Sequence, residues 1–218
     1  MFTGIIEAVG TLKAITPKGG DVTVHVQSGK LDLSDVKLGD SIATNGVCLT
    51  VVALSHDGYA ADLSAETLKL TGFANYRAGQ RLNLEKAMQA TTRFGGHIVS
   101  GHVDGIAKVV SKQDVGRAIE FWLEAPATLA HYIAHKGSVT IDGISLTVNE
   151  VDGARFKLTI VPHTLAETTL AKIGAGDEVN LEVDVIARYI ERLMLGRQET
   201  AVSGGVSLDL LAKSGFLR

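Results

Sequence analysis

A long internal repeat constrains this 218-residue chain more than any other feature of its sequence. The motif N-G-V-C-L-T-V at 45–51 returns as D-G-I-S-L-T-V at 142–148, an offset of 97 residues. Asn83–Glu85 returns as Asn180–Glu182 at the same offset, whereas Gly39 matches Gly137 only through a local slip of one residue. A solenoid unit has roughly 20–50 residues, so each of these longer copies can bury its own core. The sequence therefore predicts two copies of one domain.

Within each copy the hydrophobic pattern has a period of two. The segments Val22–Gln27 and Ile119–Glu124 alternate apolar and polar side chains, which is typical of half-buried strands. Further strands are predicted at Ile5–Leu12, Ser41–Asn45, Leu49–Leu54, Tyr59–Leu63 and Gln80–Lys86. Six short strands in about 90 residues favour a closed barrel over β-α-β units. The predicted fold is all-β, with tandem six-stranded antiparallel Greek-key β-barrels over 1–97 and 98–187, and a C-terminal α-helix and tail over 188–218 that mediates oligomerisation.

Helices are predicted in the loops and after the second barrel. Pro126 opens the segment Ala127–His135, and Leu31–Leu38 is its weaker counterpart in the first copy. Apolar residues recur at helical spacing across Val185–Arg197, which has no counterpart in the first copy. An apolar stripe on a helix needs a surface to cover it, so we expect oligomerisation through this segment, with packing on its own barrel as the alternative. Ser207–Lys213 is predicted as a short capped helix.

Composition excludes several classes of partner. The 21 Lys and Arg against 24 Asp and Glu give a formal net charge of −3, so no cationic footprint for nucleic acid or an anionic membrane is present. Cys48 is the only cysteine, which excludes an internal disulfide and a four-cysteine zinc site. The N-terminus lacks a signal-peptide pattern, and no stretch approaches ~18 uninterrupted apolar residues. We expect a soluble, cytoplasmic protein with no nucleic-acid or membrane partner.

Motifs for common cofactors and metals are missing. There is no glycine-rich dinucleotide or phosphate loop and no zinc motif. The second heptapeptide resembles the nucleophile elbow of serine hydrolases only superficially, because Thr147 replaces its second glycine. His131 and His135 are spaced as on one helix face but lack a third ligand, while His97 and His102 would point to opposite faces of a strand. We therefore expect no metal and no cofactor.

Each copy carries a pair of small hydrogen-bonding side chains on one strand. Cys48 and Thr50 are two residues apart, as are Ser145 and Thr147, so each pair points to one side of its strand. Bonding of nearby backbone groups is the structural alternative. Recurrence of the pairs beside glycines, which let a ligand approach closely, favours binding. The repeat therefore predicts one neutral polar ligand bound twice.

The two copies differ at chemically reactive positions. The residues His102, Ser145, His163 and Asp184 of the second copy stand opposite Ile5, Cys48, Glu66 and Ala87 of the first. If both barrels bind the same molecule, they present it with unlike acid and base groups. Two identical ligands could then play different parts in one reaction.

Several motifs together carry a family resemblance. The opening M-F-T-G-I-I-E, the two heptapeptides, the junction G-G-H-I-V-S-G-H-V-D-G and the late I-E-R-L resemble the riboflavin synthase family, alpha-chain type, over essentially residues 1–195. The resemblance implies a cofactor-free transferase. Such an enzyme dismutates two molecules of 6,7-dimethyl-8-ribityllumazine into riboflavin and 5-amino-6-ribitylamino-uracil by moving a four-carbon unit, the last step of riboflavin biosynthesis.

The resemblance also implies an assembly. Each barrel would bind one lumazine, and the active site would form between the first barrel of one subunit and the second barrel of its neighbour in a homotrimer. Association with lumazine synthase is a further partner that the resemblance raises.

Site residues follow from the same resemblance. It assigns His102, Ser145, Thr147 and Asp184 to a catalytic set in the second barrel, and places Cys48 in the first. His102 would be the general acid or base, Ser145 would bond the substrate or a nucleophilic water, and Asp184 would orient Ser145. Cys48 as a covalent nucleophile is the alternative to a binding or water-positioning role.

The implied substrate-binding residues form two groups, in which the loop segments act mainly through their backbone. The first group is Gly4, Ile5, Ile6, Cys48, Leu49, Thr50, Asp62, Leu63, Ser64, Ala65, Glu66 and Thr67. The second group is Gly101, His102, Val103, Lys136, Ser145, Leu146, Thr147, Thr159, Ile160, Val161, Pro162, His163 and Thr164. Lys136 would reach a site from the end of a predicted helix, or would cap that helix.

Three rival functions stand beside the enzyme. A non-catalytic carrier of lumazine or flavin would share the duplicated barrel, but retention of His102, Ser145 and Asp184 favours activity. A flavin-dependent reductase would need a nicotinamide-binding domain, for which the sequence has no candidate. Oligonucleotide binding is disfavoured by the acidic balance and by an aromatic content of only 5%.

Overall fold

The computed structural model describes residues 1–203 and 213–214. The first barrel consists of β1 (Ala8–Lys18), β2 (Asp21–Gln27), β3 (Ser41–Thr44), β4 (Val47–Ser55), β5 (Gly58–Leu63) and β6 (Arg81–Lys86). The second consists of β7 (Gly105–Val115), β8 (Ala118–Glu124), β9 (Ser138–Ile141), β10 (Ile144–Asp152), β11 (Arg155–Ile160) and β12 (Glu178–Val183). Both sheets close, in the equivalent orders β1-β2-β5-β4-β3-β6 and β7-β8-β11-β10-β9-β12. The predicted twin antiparallel barrels are confirmed.

Apolar side chains at alternate positions of the strands fill the interior of each barrel. On β4, Val47, Leu49 and Val51 are buried, while Cys48 is half-buried and Thr50 is exposed. The buried side chains form one apolar cluster inside each barrel. Burial of apolar area contributes roughly 25 cal/mol per Å² to stability, so each copy carries its own core. The polar residues of the same strands consequently face outward.

Short helices lie at other places than those predicted. An α-helix follows the fifth strand of each barrel, α1 (Ala65–Leu70) and α2 (Pro162–Glu167), and each leads into a 3₁₀ turn, at Gly72–Ala74 and Thr169–Lys172. The predicted helix over Ala127–His135 is wrong, because only Ala130–Tyr132 forms a 3₁₀ turn. The predicted counterpart at Leu31–Leu38 is also wrong, since it consists of turns and loop.

Loop packing explains both errors. Leu31, Val36 and Ile133 are the apolar residues buried from these segments, and they contribute to the apolar clusters of the two barrels. Ile133 has extended backbone angles, φ −94° and ψ 111°. Single apolar anchors on a loop therefore produced a pattern that resembles one face of a helix.

The repeat keeps its offset of 97 where a slip was predicted. The Gly39 N–H donates to the Val51 carbonyl at 2.9 Å, and the Lys136 N–H donates to the Val148 carbonyl at 2.8 Å. Gly39 and Lys136 both have positive φ, 92° and 63°. The counterpart of Gly39 is therefore Lys136 and the predicted pairing with Gly137 is wrong, because the backbone conformation, and not the glycine, is repeated.

The segments that precede the two barrels pair with each other. Phe2 and Val99 form an antiparallel bridge, with N–H···O distances of 2.8 and 3.1 Å. The buried carboxylates of Glu85 and Glu182 each accept two backbone N–H groups from the segment that precedes their own barrel, at 2.7–3.1 Å. These hydrogen bonds to ionisable groups fix both segments between the barrels.

The C-terminal helix belongs to a separate unit, Val185–Arg218, whereas both barrels lie in Met1–Asp184. Helix α3 (Val185–Ser203) begins where predicted and continues past Arg197. Its apolar side chains include the exposed Ile190, Leu193 and Met194. The predicted helix at Ser207–Lys213 lies, apart from Lys213, outside the described residues. No helix within the described part of the chain is long and apolar enough to cross a membrane.

Candidate functional site

The paired polar side chains lie on the outer surface of each barrel. Ser145 is half-buried and Thr147 is exposed on β10, between the buried Ile144 and Val148. Cys48 and Thr50 have the same arrangement on β4. A ligand that uses these groups would lie against the outside of the sheet, because the barrel interiors are filled. We call the surface around Cys48 and Thr50 the first site, and the surface around Ser145 and Thr147 the second site.

Each site is completed by backbone from the other copy of the repeat. The Cys48 N–H donates to the Gly101 carbonyl at 2.8 Å, and the Ser145 N–H donates to the Gly4 carbonyl at 2.8 Å. A Cβ on Gly101 would lie 2.7 Å from the Cβ of Cys48, and a Cβ on Gly4 would lie 2.6 Å from that of Ser145. Both glycines also have positive φ, so no other residue fits easily.

Side chains next to these glycines also pack against the barrel of the other copy. Ile6 packs against the core of the second barrel, and Val103 packs against the core of the first. The predicted binding segments Gly4–Ile6 and Gly101–Val103 therefore lie at the sites of the opposite barrels. A reading of the sequence one barrel at a time does not reveal this exchange.

His102 belongs to the first site within a single chain. It directly follows Gly101, whose carbonyl accepts the Cys48 N–H, and its side chain is exposed. Its counterpart Ile5, 49% exposed, occupies the corresponding place beside Ser145. Grouping His102 with Ser145 was therefore wrong for one chain, because the segment that carries His102 lies against the first barrel, whereas Ser145 lies on β10 of the second.

His97 is a site residue that the sequence analysis missed. Its Nδ1 lies 2.7 Å from the Ser145 Oγ, and its backbone N–H donates to the Thr3 carbonyl at 3.2 Å. A Cβ on Gly96 would lie 2.0 Å from that carbonyl and 2.9 Å from the Ser145 Oγ. The available signal was the Gly-Gly pair directly before His97, which lets the connecting segment press against β10.

The environment of His97 favours the neutral form of its imidazole. Burial lowers the pKa of His97, and the carboxylate of Asp184 opposes that effect by favouring the charged form. A neutral imidazole has one donor and one acceptor nitrogen. The second site therefore contains a hydroxyl, a neutral imidazole and a carboxylate, whereas the first contains a thiol and an exposed imidazole.

Several predicted side chains have structural partners. Asp62 accepts hydrogen bonds from the Lys18 Nζ at 2.7 Å and the Thr23 Oγ at 2.5 Å, which lower the pKa of Asp62. Ser64 caps α1 by accepting the Thr67 N–H at 3.2 Å. These side chains support the loop after β5, so their contact with a ligand would come mainly from backbone groups.

The remaining predicted residues divide by exposure. Leu49, Leu63 and Ile160 have side chains in the barrel cores and can offer only main-chain atoms. Ala65, Glu66, Leu146, Thr159, Pro162, His163 and Thr164 are exposed or half-buried on α1, β10, β11 and α2, and the exposed Val161 lies between β11 and α2. Lys136 is exposed in the turn before β9, so its predicted position at a helix end is wrong.

The structure offers little support for other kinds of site. No cluster of three or more His, Cys, Asp or Glu in the described ranges could hold a metal. His131 lies in a 3₁₀ turn and stacks on Tyr132 at 3.9 Å between ring centroids, so it does not share a helix face with His135. A cavity of about 910 Å³ is lined in part by the ion pair of Lys30 and Glu167, but none of the predicted site residues lines it.

Comparison with known proteins identifies the repeated domain. A family model described as the lumazine binding domain matches residues 3–87 and again residues 100–184. The riboflavin synthases of Photobacterium phosphoreum and Photobacterium leiognathi are 59% identical over 217 residues and 55% identical over 218 residues, covering 100% of both chains in each comparison. Riboflavin synthase of Bacillus subtilis (strain 168) is 37% identical over 216 residues, covering 99% of this chain and 100% of the relative.

Solved structures share the architecture. LumP complexed with riboflavin superposes with a TM-score of 0.78 at 24% identity, over 84% of this chain and 99% of that chain. LumP complexed with 6,7-dimethyl-8-(1'-D-ribityl) lumazine gives a TM-score of 0.76 at the same identity and coverage. This likeness concerns the fold, whereas the family model falls on both barrels and the sequence relatives extend over the full chain. On these grounds the chain belongs to the riboflavin synthase family.

Proposed function

We propose that this protein converts two molecules of 6,7-dimethyl-8-ribityllumazine into riboflavin and 5-amino-6-ribitylamino-uracil by transfer of a four-carbon unit. The observation that carries the proposal is the 59% identity to a riboflavin synthase over all of both chains. Two equivalent surface sites with unlike reactive groups suit a reaction in which two identical molecules have different fates.

Positioning supplies most of the catalysis in this proposal. The methyl group on C7 of one lumazine is acidic because the ring delocalises the carbanion, and the other lumazine is activated by addition at its C7. Holding two flat rings in reactive contact contributes up to about 7–11 kcal/mol when the geometry is close to that of the transition state. A positioned histidine adds typically 10²–10⁴-fold through proton transfer. In this proposal, His102 at the first site and His97 at the second are the candidates for this role.

The shared active site is also part of the proposal. We infer a homotrimer in which the first site of one subunit meets the second site of the next, so that His102 joins Ser145 across the interface. The separation of these residues into two sites within one chain supports this arrangement, as do the exposed apolar side chains of α3. Cytoplasmic location, association with lumazine synthase and the division into 1–97, 98–187 and 188–218 stay predictions.

Incubation of the purified protein with 6,7-dimethyl-8-ribityllumazine alone tests the activity. We expect one riboflavin and one 5-amino-6-ribitylamino-uracil for every two lumazines consumed, measured by chromatography with absorbance detection. Asp184→Ala should lower turnover more than lumazine binding, because the carboxylate acts on the proton-transfer groups and not on the ring. Stable binding of lumazine by the unsubstituted protein without product would contradict the proposal and favour a carrier.

A further inference from the structure

The two sites differ in what touches their central side chain. In the second site, the imidazole Nδ1 of His97 lies 2.7 Å from the hydroxyl of Ser145. In the first site, no imidazole among the described residues hydrogen-bonds the thiol of Cys48, and Gly101 lies against it instead. The connection between the barrels therefore supplies one site with a histidine partner that the other site lacks.

The pair of His97 and Ser145 is held in place from both sides. The Ser145 backbone is bonded to the Gly4 carbonyl, and the His97 backbone is bonded to the Thr3 carbonyl next to it. Gly96 leaves no space for a side chain between these groups. The hydroxyl and the ring thus meet without the ordering cost that flexible groups would carry.

We propose that His97 positions Ser145 and accepts its proton during catalysis in the second site, an inference that rests on the proposed function. The Ser145 hydroxyl donates to Nδ1, while Nε2 carries the ring proton. Both lone pairs of Oγ are then available to a water molecule at C7 of the bound lumazine.

The proton moves from the attacking water through Ser145 to His97. The water oxygen forms a bond to C7, and the electron pair of the C7 double bond moves into the ring. The water proton passes to the Ser145 Oγ as the proton of Oγ passes to the His97 Nδ1. The lumazine ring then carries a negative charge and the imidazole of His97 a positive one. The nearby carboxylate of Asp184 stabilises the positive charge. Reversal of the same path returns the proton when the adduct collapses.

Electrostatics suit this role. Burial lowers the pKa of His97, which keeps the ring able to accept a proton at neutral pH. Asp184 favours the imidazolium that forms during the step. Ser145 is uncharged, so burial and the carboxylate of Asp184 are the two opposed effects that act on His97 within the described residues.

Nitrogen-15 NMR of the histidine rings tests the pair without relying on activity. We expect the His97 Nδ1 to be unprotonated at neutral pH, and its pKa to change in Ser145→Ala. His56 is 91% exposed in a turn of the first barrel and serves as the internal control, with no change expected. A proton on Nδ1 at neutral pH, or an unchanged His97 in Ser145→Ala, would overturn the inference.

Kinetics of His97→Asn test the catalytic consequence. Asparagine retains a hydrogen-bonding atom near the Nδ1 position but cannot take up a proton, so kcat should fall about 10²–10⁴-fold. Lumazine affinity, measured by equilibrium dialysis, should change less than threefold, and His56→Asn should have unaltered kinetics. In the unsubstituted protein kcat/KM should decline as acidification protonates His97, and the part of the decline that His97 causes should be absent in His97→Asn. The double variant with Ser145→Ala should be no slower than the more impaired single variant.

Two kinetic results would contradict the inference. One is a His97→Asn variant that retains more than a third of the turnover, and the other is a double variant whose losses multiply. If the unsubstituted protein formed no riboflavin, the proposed function would fail, and the NMR measurement would still decide whether His97 accepts the hydrogen bond.

Discussion

At the scale of single residues, the repeat places Asn45 and Asp142 at one buried turn position. Both have φ of 47°, and each accepts a backbone N–H through Oδ1, Asn45 from Asn83 at 2.7 Å and Asp142 from Asn180 at 2.8 Å. Only Asp142 is ionisable. Burial raises the pKa of Asp142 to about 7, so the second repeat carries an electrostatic cost that the first avoids.

Asp142→Asn is expected to stabilise the protein in neutral and alkaline solution. Because the folded-state pKa of about 7 lies above the unfolded value of 3.8, the folded state binds the proton more tightly. The free energy of unfolding therefore falls as pH rises from about 4 to about 7, and stays low above that range. Removing the charge should raise it by about 2–4 kcal/mol at pH 8.

Urea unfolding at pH 5 and pH 8 measures this effect. Asp142→Asn should reduce the difference in the free energy of unfolding between the two pH values. The substitution Asp114→Asn, at an exposed position, should leave that difference unchanged. Equal pH dependence in Asp142→Asn and the unsubstituted protein would show that Asp142 is not the group that titrates.

At the scale of elements, two hairpin turns meet between the barrels. Asn45–Gly46 joins β3 to β4 and Asp142–Gly143 joins β9 to β10, each with positive φ at both residues, as in a type I′ turn. A Cβ on Gly46 would lie 2.7 Å from the Gly143 backbone nitrogen, and the reverse distance is also 2.7 Å. The turns therefore pack backbone to backbone, which positions the strands of both sites relative to each other.

Gly46→Ala is expected to destabilise the protein more than a comparable turn substitution. Left-handed backbone at a non-glycine residue costs roughly 1–2 kcal/mol, and the contact with Gly143 should add about 1–3 kcal/mol. Gly116→Ala is the matched control, because Gly116 has φ of 62° and nothing within 4 Å of the added Cβ. Urea unfolding should show a larger loss of unfolding free energy for Gly46→Ala than for Gly116→Ala. Equal losses would mean that the contact between the two turns adds nothing to the cost of the substitution.

At the scale of the whole molecule, the barrels and the C-terminal helix form distinct units. Both sites lie in Met1–Asp184, whereas the exposed apolar side chains of α3 lie outside it. If the active site is shared between subunits, loss of assembly should abolish turnover while each barrel still binds its ligand.

Deletion of residues 190–218 should give monomers with little activity. Most of the apolar stripe of α3 is removed, so its contribution to association is lost. Sedimentation velocity reports the assembly, circular dichroism reports the retained barrels, and riboflavin formation reports turnover. Deletion of 204–218 alone, beyond α3, is the control and should leave assembly intact. An active monomer would refute the shared site.

The sequence by itself determined the twin barrels and the paired side chains. The strands are visible in the alternation of neighbouring residues, and the duplication is visible because similar motifs return at an offset of 97. The outward position of Cys48 with Thr50, and of Ser145 with Thr147, follows from alternation alone. Loop helices were predicted wrongly, since buried anchors such as Ile133 imitate a helical stripe.

Tertiary structure decided which groups share a site. Gly101, the neighbour of His102, lies against Cys48 because the segments before the barrels exchange partners, and His97 meets Ser145 across 48 positions of sequence. Hydrogen bonds between such distant residues leave no periodic trace in the chain. They exist only once both barrels have closed and pressed the connecting segment against β10.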